Sequence, residues 1–308
     1  MTAYVIHEND DWMPPLRHAL EEAHVPYEEL FVDEGHFDVQ RPPPEGVYLN
    51  RMSASSHTRG HEAGVEHTRQ LLAWLDRHGR RVINGRNAFE LEVSKVQQHL
   101  ALEQAGIRTP ATRAVVGGAE ALVEAAQDVP TPFVTKHNRG GKGLGVELFR
   151  SHDAFADHVQ SQAFSPPPAH VTLLQQYVPP ADDTITRCEF VDGEFLYAIR
   201  SDTSEGFELC PADACSTDGG DGSLSTLRKD VPTDLLGKYA RFLAQEEIDV
   251  AGIEFIEDED GRTWTYDVNG TTNYSPEVEK RRGLDGMAAV AALLKRELKE
   301  AAGATLSS

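Results

Sequence analysis

The sequence predicts an α/β protein, with a small open sheet first and two mixed α+β segments after it. Three observations carry this. Strand-like and helix-like stretches alternate through residues 1 to about 88. A strand, a glycine-rich hairpin and a second strand follow one another in "PFVTKHNRGGKGLGVELF", and near the C-terminus two strands flank an acidic turn in "AGIEFIEDEDGRTWTYDVNG".

Taken in order, "AYVIHE" reads as a strand, "MPPLRHALEEAHV" as an amphipathic helix, and "YEELFV" and "GVYLN" as strands. The helix "GVEHTRQLLAWLDRHG" then leads to the short strand "RVIN". The stretch "NAFELEVSKVQQHLALEQAG" reads as one helical segment that stops at Gly106, with "IRTPAT" turning the chain into a new strand, "RAVVG". A second domain starts here: helix "GAEALVEAAQ", strand "PFVTKH", glycine loop, strand "GVELF", helix "HDAFADHVQ" and the proline break "SPPPAH". The remainder gives strands at "VTLLQQYV", "TRCEFVDGEFLYAIR" with an Asp-Gly hairpin turn, "VAGIEFIED" and "TWTYDVN", and helices at about 232 to 247 and 284 to 302.

Composition narrows the function. The 308 residues suffice for two or three domains with real cores, and a 40% hydrophobic content fits a soluble chain. A formal charge of −21 argues against nucleic acid or an anionic membrane as partner, since an acidic surface repels both. Neither end carries a targeting segment or an apolar run of spanning length, so the expected location is cytoplasmic. Cys188, Cys210 and Cys215 make no disulfide or zinc pattern and read as reduced and packed. His57, His61 and His67 lie in a glycine-broken stretch without supporting carboxylates and do not read as a metal site.

Only eight of the 29 basic residues are lysines, which draws notice to Lys136 at the end of an apolar strand before the glycines. The loop is not a P-loop, because Lys142 precedes Gly143 rather than Ser or Thr. Nor is it a dinucleotide fingerprint, because the glycines lead back into a strand instead of opening a helix. A hairpin with Gly140, Gly141 and Gly143 can lay backbone N–H groups over a polyphosphate, with Lys136 adding a compact charge. An ordinary glycine hairpin with solvated lysines stays open on this segment alone. Further on, Glu254 falls on one strand and Asp267 and Asn269 on the next, at the i, i+2 spacing that shares a face. Three hard oxygen donors on paired strands suit Mg²⁺.

At this point the chain resembles the ATP-grasp superfamily, and within it the RimK-like carboxylate–amine ligases, over about residues 84 to 291. "VSKVQQHLALEQAGIRTPAT" is similar to the family's first lysine segment, matching Lys95 to a phosphate-binding lysine, and "PFVTKHNRGGKGLGV" to the second, matching Lys136. "LLQQYV" resembles the interdomain hinge, so that Gln176, Tyr177 and Val178 would meet the adenine edge. Arg187 matches an arginine after the hinge, Arg200 a basic residue facing the phosphates or acyl group, and Glu254, Asp267 and Asn269 the metal ligands. The sequence departs from the family at Gln176, where Glu is usual, at Asp267, where a longer Glu is usual, and at Ile185, where an Asp is expected. Ribose binding would then pass to Asp182 or Asp183.

The resemblance implies an ATP-grasp fold: a Rossmann-like pre-domain at 1–88, then subdomains at 89–174 and 175–308 that grip ATP between them. It implies ATP and Mg²⁺, with Mn²⁺ as the alternative ion, and amino acid or peptide substrates joined through an acyl phosphate. Lys95, Lys136, Arg200 and the metal would neutralise the transferring phosphoryl group, with Arg200 also serving the later oxyanion. The glycine loop at 138 to 145 would close as a lid. Asn273, Tyr274 and Ser275, with Arg281 or Arg282, would line the acceptor side, and Arg51 would reach substrate from the carboxyl end of a pre-domain strand. By analogy with relatives the chain would form a homo-oligomer. Two other classes stay open: a small-molecule kinase on the same fold, and a nucleotide-binding protein without turnover.

Overall fold

The computed structural model describes residues 1–141, 143, 145–203 and 226–305. Its first sheet is built from β1 (Thr2–His7), α1 (Pro14–Glu22), β2 (Tyr27–Phe31), β3 (Gly46–Asn50), α2 (Gly64–Arg77) and β4 (Arg81–Ile83). The strands run parallel in the order β2-β1-β3-β4. The inner strands β1 and β3 are buried along almost their whole length, as a parallel sheet covered on both faces requires. Pro14 and Pro15 open α1, where a missing N–H costs nothing. Val65, Leu72 and Leu75 of α2 pack against Ile6 and Tyr48 on one face of the sheet.

The segment read as one helix is two: α3 (Arg86–Glu92) and α4 (Lys95–Gln104). Ser94 causes the break, because its extended backbone and side chain cap α4, with Oγ accepting from Gln97 N at 3.4 Å. Asn138 completes the cap by accepting from Val96 N through Oδ1 and from Lys95 N through its carbonyl, both at 3.0 Å. Lys95 therefore starts a helix tied directly to the loop after the Lys136 strand.

The second sheet comprises β5 (Thr112–Val116), β6 (Phe133–His137), β7 (Glu147–Phe149) and β8 (Val171–Gln176), antiparallel in the order β5-β8-β6-β7, with α5 (Ala119–Ala126) and α6 (His152–Gln160) on one face. Phe133, Phe149 and Phe155 stack edge to face in its own core with Leu122 and Leu174.

The third sheet runs β11-β10-β9-β12-β13, all antiparallel, from β9 (Thr184–Val191), β10 (Glu194–Asp202), β11 (Thr226–Arg228), β12 (Val250–Glu257) and β13 (Thr263–Asn269). Asp192 and Gly193 both take positive φ, 58° and 72°, the tight hairpin turn that an Asp-Gly pair favours. One face is covered by α7 (Thr233–Gln245), whose Tyr239 and Phe242 pack on Phe190 and Phe255. After α8 (Pro276–Arg282), the long α9 (Gly286–Thr305) returns to the first sheet, where Val290 and Leu294 join Leu16, Leu20, Val47 and also Val191 and Ile199 in one core. The strand β11 and the helix α8 were not expected from sequence. Among the described residues no helix is long and apolar enough to cross a membrane.

Candidate functional site

Between the second and third sheets lies a cleft of about 1460 Å³, counting space open to solvent, with the carboxyl end of the first sheet closing one side. Lys136 and the glycine loop line it from the second sheet, Arg187, Glu254, Asp267 and Asn269 from the third, and Lys95 from the start of α4. Gln176, Tyr177 and Val178 cross from one sheet to the other along its edge. The buried Val178 N–H finds no hydrogen-bond partner among the described residues.

Register explains how the third sheet presents its groups. Arg187 on β9 lies opposite Glu254 on β12, which lies opposite Asp267 on β13, so the three side chains stand in a row on one face. Asn269 follows two residues on and shares that face. Arg187 is fully buried: Nε donates to Glu189 Oε1 at 2.6 Å, Nη1 to Glu254 Oε1 at 2.7 Å, and Nη2 to Thr272 Oγ1 at 2.8 Å. Thr272 in turn donates to Glu189 Oε2 at 2.9 Å. The guanidinium lies flat over Gly252, where a Cβ would stand 2.1 Å from Nη2.

Lys95 donates to Asp267 Oδ1, and Asn269 Nδ2 donates to Asp267 Oδ2 at 3.3 Å. That second bond turns the asparagine's Nδ2 toward Asp267 and leaves its Oδ1 available, so that two carboxylates and one carboxamide oxygen form a donor set suited to a hard cation. Burial works against the charge on Lys95, but the pair with Asp267 holds its pKa above the usual lysine value. Burial likewise works against the Asp267 charge, yet Lys95 keeps it below the ordinary carboxylate range. Lys136 makes no ion pair with a described residue; its Nζ sits 4.7 Å from the centre of the Tyr266 ring. Burial and then repulsion from Lys95 pull it down to about 8.

Several expected residues are not brought into this cleft. Arg200 faces the other side of its sheet: it lies opposite Thr186, on the face where Arg228 donates to Thr186 Oγ1 and α7 packs, and its Nη1 is 3.3 Å from Asp182. Strand alternation is the reason, since Arg187 pairs with Ile199 and the next residue must point away. Asp183 is exposed, with its carbonyl accepting from Thr203, and Ile185 takes the place on the cleft wall. Tyr274 is a core residue against which the backbone of Gly286 packs, and Ser275 is buried at the start of α8. Asn273 does line the cleft, while Arg51 stands buried behind it. The side chains of Arg281 and Arg282, and Lys142, Cys210, Cys215 and the stretch 204–225, lie outside the described residues.

The sequence reading missed Glu189, Thr272, Glu92 and Tyr266. Glu189 was detectable, since it stands two residues from Arg187 and must share its face. Glu92 is half-buried beside Lys95, accepts from Gly270 N at 2.5 Å, and is pushed up to about 7 by loss of hydration. Nothing local marks Thr272 or Tyr266, which become relevant only through pairing across the chain.

Cations gathered opposite hard oxygen donors complement a polyphosphate carrying a divalent ion, and two α+β layers closing around such a cleft define the ATP-grasp class of ATP-dependent enzymes. The chain belongs to the RimK-like ATP-grasp family, whose domain matches residues 93–293, and is accordingly an ATP-dependent carboxylate–amine ligase. Among solved structures it is similar to a RimK domain ATP-grasp protein from Sphaerobacter thermophilus, at 18% identity and a TM-score of 0.65, covering 94% of this chain and 99% of that one. It is also similar to the D-cycloserine synthetase DcsG, at 19% identity and TM-score 0.66, with 96% and 99% covered. D-alanyl-alanine synthetase A from Vibrio cholerae gives 13% identity and TM-score 0.66, with 97% and 98% covered. No curated protein matches the sequence significantly.

Proposed function

We propose that the protein phosphorylates a carboxylate of an amino acid or peptide and joins the resulting acyl phosphate to an amine. The carboxylate oxygen takes the γ-phosphoryl group of ATP and releases ADP. The amine nitrogen then attacks the acyl carbon, loses a proton, and expels phosphate to leave an amide. The observation that carries this reading is the convergence of Lys95, Lys136, Glu254, Asp267 and Asn269, from three separate parts of the chain, on one cleft.

Roles follow from position. The N–H of Val178, which has no partner among the described residues, is suited to an acceptor on the adenine edge, with the half-buried Gln176 and Tyr177 beside it. Lys136, at the strand end beneath Gly140, Gly141 and Gly143, neutralises phosphate oxygens, and Lys95 does the same from the α4 terminus, where helix N–H groups add to the positive field. Glu254, Asp267 and Asn269 would hold Mg²⁺, and Mn²⁺ by the same donors. When bound, the ion would polarise phosphoryl oxygens and offset their charge. Arg187 replaces Arg200 as the cation facing the reacting groups: it lines the cleft and is held rigid by Glu189, Glu254 and Thr272, a preorganised donor for the developing oxyanion. Gly140, Gly141 and Gly143 line the cleft, Gly141 near Ser55 in the segment after β3, a position suited to shielding an acyl phosphate from water. The segments 1–88, 89–174 and 175–308 act as the pre-domain and the two gripping halves.

Amino acid or peptide substrates are supported by the named neighbours, which include a D-alanyl-alanine synthetase and the ligase PsnB solved with a precursor peptide. ADP release should be screened over pairs of amino acids and dipeptides, with mass detection of the amide. An amide product that disappears in Lys136→Ala is the expected result. ADP release without an amine, leaving a stable phosphorylated product, would instead show a kinase, and no release over the whole panel would show a binding protein.

A further inference from the structure

Arg51 is a buried guanidinium with no ion pair to any described residue. It follows β3 at the carboxyl end of the first sheet, and its contacts are all neutral: Nη2 donates to Asn273 Oδ1 at 2.8 Å, and Nη1 lies 3.5 Å from the Thr272 carbonyl and 3.9 Å from Met287 Sδ. An uncompensated buried charge is costly unless a counter-charge arrives from elsewhere. Burial pulls its pKa down only to about 10, so the cation persists at neutral pH.

The partner of Arg51 is the residue that faces the cleft. A guanidinium only donates, so the side of the Asn273 carboxamide turned toward Arg51 must be its oxygen. Its Nδ2 group is thereby directed away, and it has no acceptor among the described residues. The backbone leading into it is pinned, with Thr271 Oγ1 donating to the Met52 carbonyl at 3.1 Å and Thr272 locked into the Arg187 network. The cleft thus receives from this point two N–H donors, no acceptor, and the field of an unpaired cation behind them. An ammonium group finds nothing to bond there; a carboxylate finds both donors and charge.

We propose that Asn273, oriented by Arg51, seats a carboxylate of the substrate, and that the amine substrate approaches from elsewhere in the cleft. This rests on the ligase reading above. In it Asn273 contacts substrate and Arg51 is a positioning residue.

The test separates the two readings. Uniformly ¹⁵N-labelled protein is titrated with sodium acetate and, separately, with ethylammonium chloride at matched ionic strength, the Asn273 side-chain amide being assigned by its loss in Asn273→Asp. Acetate should shift that signal and ethylammonium should leave it in place; no response to acetate, or a response to ethylammonium alone, overturns the proposal. In turnover with hydroxylamine as the amine and the common amino acids as carboxylates, Asn273→Asp should raise KM for the best carboxylate about 10- to 100-fold, while KM for ATP stays within about twofold. Arg51→Gln still donates to Oδ1 but carries no charge, so it should fall between the native protein and Arg51→Met in carboxylate KM. Equal KM values across these variants overturn the proposal. If no carboxylate supports ADP release in the native protein, the ligase reading fails by itself, and the acetate titration still decides the carboxylate site.

Discussion

Lys95 and Asp267, far apart in sequence, form an ion pair on the wall of the cleft. Each partner is largely buried, so removing Lys95 leaves Asp267 charged with only the more distant Lys136 and the Asn269 amide to offset it. Lys95→Met should therefore cost about 3 kcal/mol of folding stability. The double variant Lys95→Met/Asp267→Asn should cost less than the single, since neither charge remains. Urea denaturation reads both, and a double variant no more stable than the single would contradict the pairing.

Lys136 has a different balance. With its pKa held at about 8, it is mostly neutral at pH 9 when the cleft is empty. A polyphosphate beside it raises that value, so ATP binding at pH 9 should take up close to about one proton, and the uptake attributable to this lysine should vanish below pH 7. Calorimetry in buffers of different ionisation enthalpy measures it, and Lys136→Ala should abolish it. The unfolded chain keeps an ordinary lysine and binds a proton that the folded chain lacks between pH 8 and about 10. In that window the contribution of this group to stability without nucleotide rises with pH.

Gly252 is required by the arginine lying over it. In Gly252→Ala the new Cβ would stand 2.1 Å from Arg187 Nη2, so the guanidinium must leave Glu189 and Glu254 as unpaired buried carboxylates. We expect a loss of about 3 kcal/mol in stability and of about 100-fold in kcat. Gly237→Ala in α7 is the control: its Cβ meets only the end of Arg241 at 3.6 Å, and helix propensity should make it neutral or slightly stabilising.

Within the glycine loop the positions are not equivalent. Gly145 takes φ +69° and lies against His137, where a Cβ would come within 2.3 Å of the imidazole. A Cβ added at Gly141 would meet nothing closer than Ser55 Cβ at 3.7 Å, an ordinary contact. Gly145→Ala should lower kcat about tenfold or more, with ATP affinity changing much less, whereas Gly141→Ala should stay within about twofold. Stopped-flow nucleotide binding beside steady-state turnover distinguishes the two.

Much of this architecture was readable in the sequence because it is local. The Lys136 strand, the glycine hairpin, and the Glu254 and Asp267-x-Asn269 strands announce themselves by apolar alternation and turn residues, and each lies where that pattern puts it. Arg200 was misread because its neighbours in sequence do not reveal which face of β10 looks into the cleft; only the register with β9 decides. The division of the long helix at Ser94 was missed because helical periodicity continues across it, while the cap that breaks it draws on Asn138, over forty residues away. Arg51 could be placed at a strand end, but that no described residue stands beside it as a counter-ion is a property of packing that composition cannot display.

The return of α9 to the first sheet bears on how cargo enters and leaves. Because Val290 and Leu294 weld the opening strands to the Arg187 sheet through a common apolar interior, those two bodies cannot part without exposing it to water. The β5–β8 unit, by contrast, owns a separate set of phenylalanines, and its links to the rest are mainly polar: the crossing at Gln176–Val178, the cap on α4, and the contact of Gln175 with His99 at 2.7 Å. Its own core can stay intact if it moves, so the release of spent nucleotide is expected to depend on that joint rather than on any loosening at the chain's two ends.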